Sequence, residues 1–159
     1  MKIVSTVGDV EKVIKELSEY NKRLEEKTQM FGEKLAALGA TKASLEFARA
    51  ISDNNDVEIT VDRDGNNFII RAEGQEVAFI EFGAGITYGY GHPQASEFGT
   101  GPGTFPNGKG HWNDPNGWWY IDKDGQSKHT YGTPASMPMY NTMRELEQQI
   151  EQIAREVFS

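Results

Sequence analysis

The 159-residue sequence contains no cysteine. This absence excludes a disulfide framework, a cysteine nucleophile and a zinc site with thiolate ligands, and it suits a protein made in a reducing cytoplasm. No apolar run approaches the roughly 20 residues that a membrane-spanning helix needs. The first residues also lack an apolar segment of signal-peptide length. We therefore expect a protein that is outside membranes and carries no cleavable signal.

Clustered basic residues are missing as well. The formal net charge is -8. The number of Lys and Arg residues less the number of Asp and Glu residues is -1 over residues 1–56, -4 over 57–82, -1 over 83–136 and -2 over 137–159, which sum to -8. Proteins that neutralise nucleic-acid phosphates need clustered Lys and Arg. We therefore expect no direct, sequence-specific nucleic-acid partner.

Helical patterns fill residues 1–56. Asp9 is a candidate N-cap and Gly39 a candidate stop for a first helix of about 30 residues, or roughly 45 Å. Thr41 then begins a shorter second helix. Apolar residues recur on one face of the first helix, and part of the set repeats every seven residues: Val10, Val13, Ile14, Leu17, Leu24, Phe31, Leu35 and Leu38.

The period changes to two at residue 57. Alternating runs at 57–61 and 68–72 flank a turn at 63–67, and a second turn at 73–75 leads into a third run at 76–82. This pattern predicts a three-stranded antiparallel β-meander over residues 57–82.

Residues 83–136 follow neither period. They hold 12 of the 17 glycines, 5 of the 6 prolines, all 3 tryptophans and all 3 histidines, but only Ile86 and Ile121 as aliphatic residues larger than alanine. So long an irregular insertion in a compact domain usually has a function. We expect an extended arm whose aromatic residues pack locally or on another chain, with one β-hairpin over residues 118–131 that turns at 123–125.

A regular helical stripe returns at residues 137–159. Ser136 is a candidate cap, Pro138 fits the first turn, and the apolar residues alternate steps of four and three: Met139, Met143, Leu146, Ile150, Ile153 and Val157. Such a stripe is typical of a core seam. Residues 1–159 are thus predicted to form one α+β domain, with a long N-terminal helix, a short meander carrying a long insertion, and a C-terminal helix packed on the sheet.

A Glu-Phe-Gly-X-Gly motif occurs twice, at residues 81–85 and 97–101. Glu81 and Glu97 would form an acid–base pair if they met in a cleft, as in glycosidases. The tryptophans would then offer stacking surfaces for sugar rings: Trp112, Trp118 and Trp119.

The glycines of the motif allow two other interpretations. Residues 83–85 follow a predicted strand, as a phosphate-binding loop does, but no clean helix start and no Gly-Lys-Ser/Thr come after them. Glycine also lets a strand bend sharply or lets a second backbone approach closely. We favour this architectural interpretation.

The insertion offers few residues for other chemistry. Its histidines lie near aspartates but lack the short spacing of metal ligands, so we expect exposed or hydrogen-bonded side chains and no metal or cofactor: His92, His111 and His129, with Asp114, Asp122 and Asp124. No Ser or Thr stands beside an evident base, so nucleophilic catalysis has no candidate. The run 117–126, Gly-Trp-Trp-Tyr-Ile-Asp-Lys-Asp-Gly-Gln, resembles one unit of choline-binding and glucan-binding cell-wall repeats, although those repeats share each ligand site between successive units and this chain has one copy.

Taken in order, these segments resemble the tail-component or tail-completion proteins of long-tailed bacteriophages and prophages, named after gene product 10 of an HK-type siphophage. Members of this family resemble the chain in having an N-terminal helix, a short antiparallel sheet that ends in a Glu-Phe-Gly-Thr-Gly-like signature, a variable loop, and a proline-containing lead into a C-terminal helix. Here the signature is at 80–85 and the lead at 132–141. The similarity covers about residues 8–158. Many relatives have Arg and Phe around the proline, where this chain has Met137 and Met139.

The resemblance implies a structural virion protein rather than an enzyme. It would act at the neck between head and tail, as a ring oligomer such as a hexamer, with head-connector and tail-tube or terminator proteins as partners. It would be assembled in the host cytoplasm and end in the virion. We expect the subunit and partner interface to include Glu81, Phe82, Gly83, Gly85, Trp112, Trp118, Trp119, Tyr120 and Tyr131. A carbohydrate- or cell-wall-binding module, or a glycoside hydrolase using Glu81 and Glu97, is the alternative.

Overall fold

The predicted α+β class is confirmed in a computed structural model, which describes residues 7–50, 56–85, 91–99, 114–122 and 124–159. A long N-terminal helix is followed by two antiparallel hairpins and a C-terminal helix. The elements are α1 (Val7–Arg49), β1 (Glu58–Asp64), β2 (Asn67–Glu73), α2 (Val77–Phe82), β3 (Trp118–Ile121), β4 (Ser127–Thr130) and α3 (Pro138–Phe158).

The N-terminal segment is one helix, and the predicted break at Gly39 is wrong. α1 has 43 residues, or about 64 Å at 1.5 Å per residue. Gly39 is buried where Ile70 of β2 and Leu146 of α3 meet the helix, and a Cβ at this position would clash with Ile70. The glycine therefore permits close packing rather than ending the helix. Thr41 caps nothing, because its hydroxyl donates to the carbonyl of Ala37 in the same helix.

α3 runs antiparallel along the second half of α1. Lys42 pairs with Glu145 near the start of α3, and Lys34 lies 3.7 Å from Glu156 near its end. The Phe31 and Phe158 rings are 5.9 Å apart. Finally, Lys27 Nζ donates to the carbonyl of Ser159 at 3.0 Å. Residues 7–26 of α1, which we call the stem, extend beyond this last contact.

The core lies between α1, α2 and α3. Its buried apolar side chains are Ala36, Ala43, Phe47, Ile80, Ala84, Ile153 and Val157. Ile153 and Val157 are buried as the predicted stripe requires, whereas Met143 and Ile150 of the same stripe are exposed. The stripe is thus only partly covered within one chain.

The third strand of the predicted meander is wrong. β1 and β2 pair as a two-stranded antiparallel sheet, in which Val61 lies opposite Ile70. The run 76–82 instead forms the short helix α2, and its neighbouring residues Ile80 and Glu81 are both buried. A strand would point these two side chains to opposite faces, whereas consecutive residues of a helix can share a buried side. The helix is therefore what brings Glu81 inside the domain.

Candidate functional site

Glu81 caps the N-terminus of α3. Its Oε2 accepts the backbone N–H of Met139 at 2.8 Å, and its Oε1 accepts that of Tyr140 at 2.9 Å. The first N–H groups of a helix lack partners within the helix and carry partial positive charge, so a carboxylate is a favoured acceptor. The prediction that Ser136 caps this helix is wrong. Met137 is the N-cap residue, and its side chain makes no capping hydrogen bond.

His92 completes the surroundings of Glu81. Its Nδ1 accepts the backbone N–H of Gln94 at 3.1 Å, so the ring proton is assigned to Nε2, which donates to Glu81 Oε1 at 3.0 Å. Both side chains are almost fully buried, at 2% exposure for His92 and 8% for Glu81. The rings of Phe82 and Tyr140 lie 4.5 Å and 5.3 Å from the imidazole. One buried glutamate thus joins α2, residue 92 and α3.

A seam of backbone contacts lies next to this cap. Ala84 and Thr133 exchange two hydrogen bonds of 2.9 Å, and Ser136 N–H donates to the carbonyl of Ile80 at 2.8 Å. Gly83 has φ 74°, and a Cβ there would lie 2.7 Å from the nitrogen of Ala135. At Gly85 and Gly132, which also have positive φ, a Cβ would clash with the backbone of the other segment. The seam holds the two segments backbone to backbone, within one chain.

The second copy of the motif has different surroundings. Glu97 is exposed, and its carboxylate lies 3.4 Å from the side-chain nitrogen of Gln94. The ring of Phe98 lies tilted against that of Phe82, with ring centroids 5.4 Å apart. Glu81 has both oxygens engaged with backbone and imidazole N–H groups. The Glu81 geometry is that of a structural acceptor, and Phe98 is the part of the second copy that reaches the first.

The β3–β4 hairpin is present as predicted, with Trp119 opposite His129. Its outward face carries a row of aromatic rings, because His129 lies 5.1 Å from the Trp119 ring and 4.9 Å from the Tyr131 ring, both edge-on. Trp119 is 69% exposed, Ile121 68% and Tyr131 57%. We call these four residues the aromatic face.

The opposite face of the hairpin lines a groove of about 700 Å³. Trp118 and Tyr120 contribute to this groove because residues two apart in a strand point to the same side. They face Phe79 and Ile80 of α2, and Glu46 and Arg49 from the end of α1. The hairpin therefore presents aromatic groups on both sides.

Asp122 orders the turn of this hairpin. Its Oδ1 accepts the backbone N–H groups of Asp124 at 2.9 Å and Gln126 at 2.8 Å, and its Oδ2 lies 3.2 Å from Lys128 Nζ. The bond from Gln126 is the main cause that lowers the pKa of Asp122, assisted by Lys128 and Asp124. A carboxylate held in this way stabilises the turn more strongly when it is ionised than when it is protonated.

Acid should therefore loosen the hairpin. Because the pKa of Asp122 is lower in the folded than in the unfolded chain, its contribution is present above the ordinary Asp value of about 3.9 and is lost as the pH falls through the folded value. Near-ultraviolet circular dichroism of the tryptophans, followed from about pH 5 to pH 2, should show a transition that Asp122→Asn reduces. Asp124→Asn is the matched control in the same turn. Identical titrations of wild type and Asp122→Asn would contradict this assignment.

The predicted interface residues that the structure describes fall into two groups. Glu81, Phe82, Gly83 and Gly85 form the cap and the seam, whereas the hairpin carries the rest, with two of its aromatic residues in the groove and two on the aromatic face: Trp118, Trp119, Tyr120 and Tyr131. Trp112 and His111 lie outside the described residues. His92 and Gly132 were not singled out for the cap and seam, because each acts through a residue distant in sequence. Met137 was not singled out as the N-cap, because a long side chain rarely adopts its left-handed conformation.

Other kinds of site are not found in the described part of the chain. No three His, Asp or Glu side chains of those residues come together to hold a metal ion. None of the described helices is both long and apolar enough to cross a membrane. Comparison with protein-family models, with curated proteins and with solved structures finds no match to this chain.

Proposed function

We propose that this chain is a structural protein of a bacteriophage or prophage virion. In this role it acts at the head–tail neck or tail end, forms a ring with copies of itself, and docks connector and tail proteins. The proposal combines the order of sequence segments described above with one structural observation, which is the exposed aromatic face of the β3–β4 hairpin.

The aromatic face has the properties of a protein contact. Large apolar patches on a soluble chain usually mark interaction surfaces, and Trp and Tyr are enriched among the residues that dominate binding energy. Trp119 and Tyr131 both contact His129 edge-on, so their rings are ordered before a partner arrives. Pre-ordered side chains lose less entropy on binding.

The seam supports the same role. The hairpin is followed directly by residues 131–135, which lie against residues 83–85 through paired backbone hydrogen bonds and glycine contacts. The cap at Glu81 fixes α3 to the same place. The aromatic face is thus held on the folded body and can transmit force between subunits of a ring.

Native mass tests this proposal. Light scattering over a range of concentrations, followed by electron microscopy, should detect a ring of six or more subunits for the wild type. Trp119→Thr should abolish the ring without unfolding the protein, because residue 119 is exposed and Thr suits a strand. Val61→Thr, at an exposed apolar position of the other hairpin, is the matched control and should leave the ring intact. Equal assembly of both variants would exclude the aromatic face as the contact.

A carbohydrate-binding module is the second candidate. Aromatic rings on both faces of one hairpin, with a groove behind Trp118 and Tyr120, also suit stacking on sugar rings. Binding to cell-wall glycans by a protein that stays monomeric at every concentration, with loss of binding in Trp119→Thr, would favour this candidate over the virion role.

A further inference from the structure

The stem carries an uncovered apolar stripe. Six of its large apolar side chains are between 42% and 62% exposed: Val10, Val13, Ile14, Leu17, Tyr20 and Leu24. Water contact at so many positions on one face of a helix is unfavourable, at about 25 cal/mol per Å² of apolar surface. The stripe is the amphipathic pattern of a helix that packs on something.

The stripe is continuous with the apolar face of α1 that α3 already covers. Val10, Leu17 and Leu24 are seven residues apart, and the same step reaches Phe31, whose ring contacts Phe158 at the end of α3. α3 is antiparallel to α1 and stops at the Lys27–Ser159 contact. This apolar face of α1 is thus uncovered along the stem, whereas α3 covers it from Lys27 onward.

We propose that the stem of a second copy of this chain covers the first, in an antiparallel pair with two-fold symmetry. This proposal concerns a surface separate from the aromatic face and does not depend on the neck role. In the register we propose, Leu17 lies opposite the partner's Tyr20, and Val13 lies opposite the partner's Leu24. Each stem then contributes the same side chains to both halves of the contact.

Charge complementarity selects this direction and register. Glu16 and Arg23 flank the stripe on one side, and antiparallel pairing brings Glu16 beside the partner's Arg23, with the reciprocal pair formed by symmetry. Parallel pairing in register would place Glu16 beside Asn21 and Arg23 beside Thr28, with no opposite charges in contact. Among the described residues Arg23 has no ion-pair partner, and Glu16 lies 3.9 Å from the exposed Lys12.

The length of the stem agrees with the same register. The pair spans Val10 to Lys27, about 26 Å of helix, so the partner's Val10 lies beside Lys27, where α3 ends. From Val10 onward, the partner's stem would lie along the part of α1 beyond the end of α3, and would run in the direction that α3 runs. The β3–β4 hairpin lies near the opposite end of α1, because its Trp118 and Tyr120 line the groove with Glu46 and Arg49. The aromatic face, on the other side of that hairpin, is therefore far from the stem, and both surfaces can be occupied at once.

A charge swap tests the pair. Measured by sedimentation equilibrium of the full chain in the Trp119→Thr background, which removes association through the aromatic face, Arg23→Glu should raise the dimer dissociation constant about tenfold or more, because two attractive contacts become repulsive. Glu16→Arg should do the same. The double variant Glu16→Arg/Arg23→Glu should restore the wild-type constant to within about threefold. Lys15→Glu, a charge reversal on the opposite face of the stem, is the control and should have little effect.

Crosslinking tests the direction. Because the chain has no cysteine, Val13→Cys and Leu24→Cys proteins can be mixed and oxidised, and the antiparallel register predicts a disulfide between the two variants. Leu24→Cys alone should not crosslink, since the two copies of residue 24 would be about 16 Å apart along the helix. Efficient crosslinking of Leu24→Cys alone, a double charge variant that fails to recover, or a protein monomeric at all concentrations would each overturn the proposal.

Discussion

Glu81→Ala is expected to lower the free energy of unfolding by about 3 to 5 kcal/mol, because it removes a helix cap and a buried hydrogen-bond network together. The carboxylate accepts two N–H groups of α3 and the Nε2–H of His92. Without it, the buried imidazole donor has no acceptor there, and an unsatisfied buried donor costs about 1 to 3 kcal/mol by itself. Urea unfolding followed by circular dichroism would measure the loss.

Glu97→Ala is the matched control for this change. It alters the same residue of the same Glu-Phe-Gly motif, but Glu97 is exposed and its carboxylate lies near only the Gln94 side chain among the bonds of the described residues. Surface changes of this kind usually stay within about 0.5 kcal/mol. If the two alanine variants are equally stable, the cap at Glu81 does not hold α3 in place.

Gly132→Ala should be similarly destabilising, by about 3 kcal/mol or more, for a steric reason. Gly132 has φ 104°, and a Cβ there would clash with the carbonyl oxygen of Ala84. That oxygen accepts the N–H of Thr133 in the seam, so relief of the clash must break the bridge between residues 84 and 133. Thermal unfolding would report the loss as a lower Tm.

Gly125→Ala separates the clash from the backbone strain. Gly125 also has positive φ, 76°, but no atom of the described residues lies within 4 Å of a Cβ at this position. Only the cost of a left-handed conformation remains there, about 1 to 2 kcal/mol. A loss at Gly132 no larger than the loss at Gly125 would mean that the seam can move apart at little cost.

Sequence periodicity predicted the elements whose signals are local. The four-and-three spacing from Met139 to Val157 identified a helix that the structure bounds at Pro138–Phe158, since every turn of that helix carries its own apolar residue. The β3–β4 hairpin followed from a strand-turn-strand pattern completed within 14 residues, 118 to 131. In both segments, neighbouring residues are enough to determine the structure.

The cap and the seam depended on contacts that no local pattern reveals. Glu81 and Met139 are 58 residues apart, and the run 77–82 is too short for its apolar spacing to distinguish a strand from a helix. Met137 adopts φ 56°, a conformation unusual for a long side chain, at the turn into α3. The sequence around Gly39 predicts a helix stop, because Ile70 and Leu146, which leave no room for a Cβ at position 39, lie far along the chain.

Because α1 is one unbroken helix, a small tilt where it packs on the body becomes a larger displacement at the N-terminal end of the stem. Its stem projects about 30 Å beyond the body, so a tilt of about 10° at the body moves Val7 about 5 Å sideways. The other end of the same helix contributes Glu46 and Arg49 to the groove behind the hairpin. Because α1 is one continuous helix, a tilt of the stem together with the rest of α1 would also displace Glu46 and Arg49 at the wall of that groove.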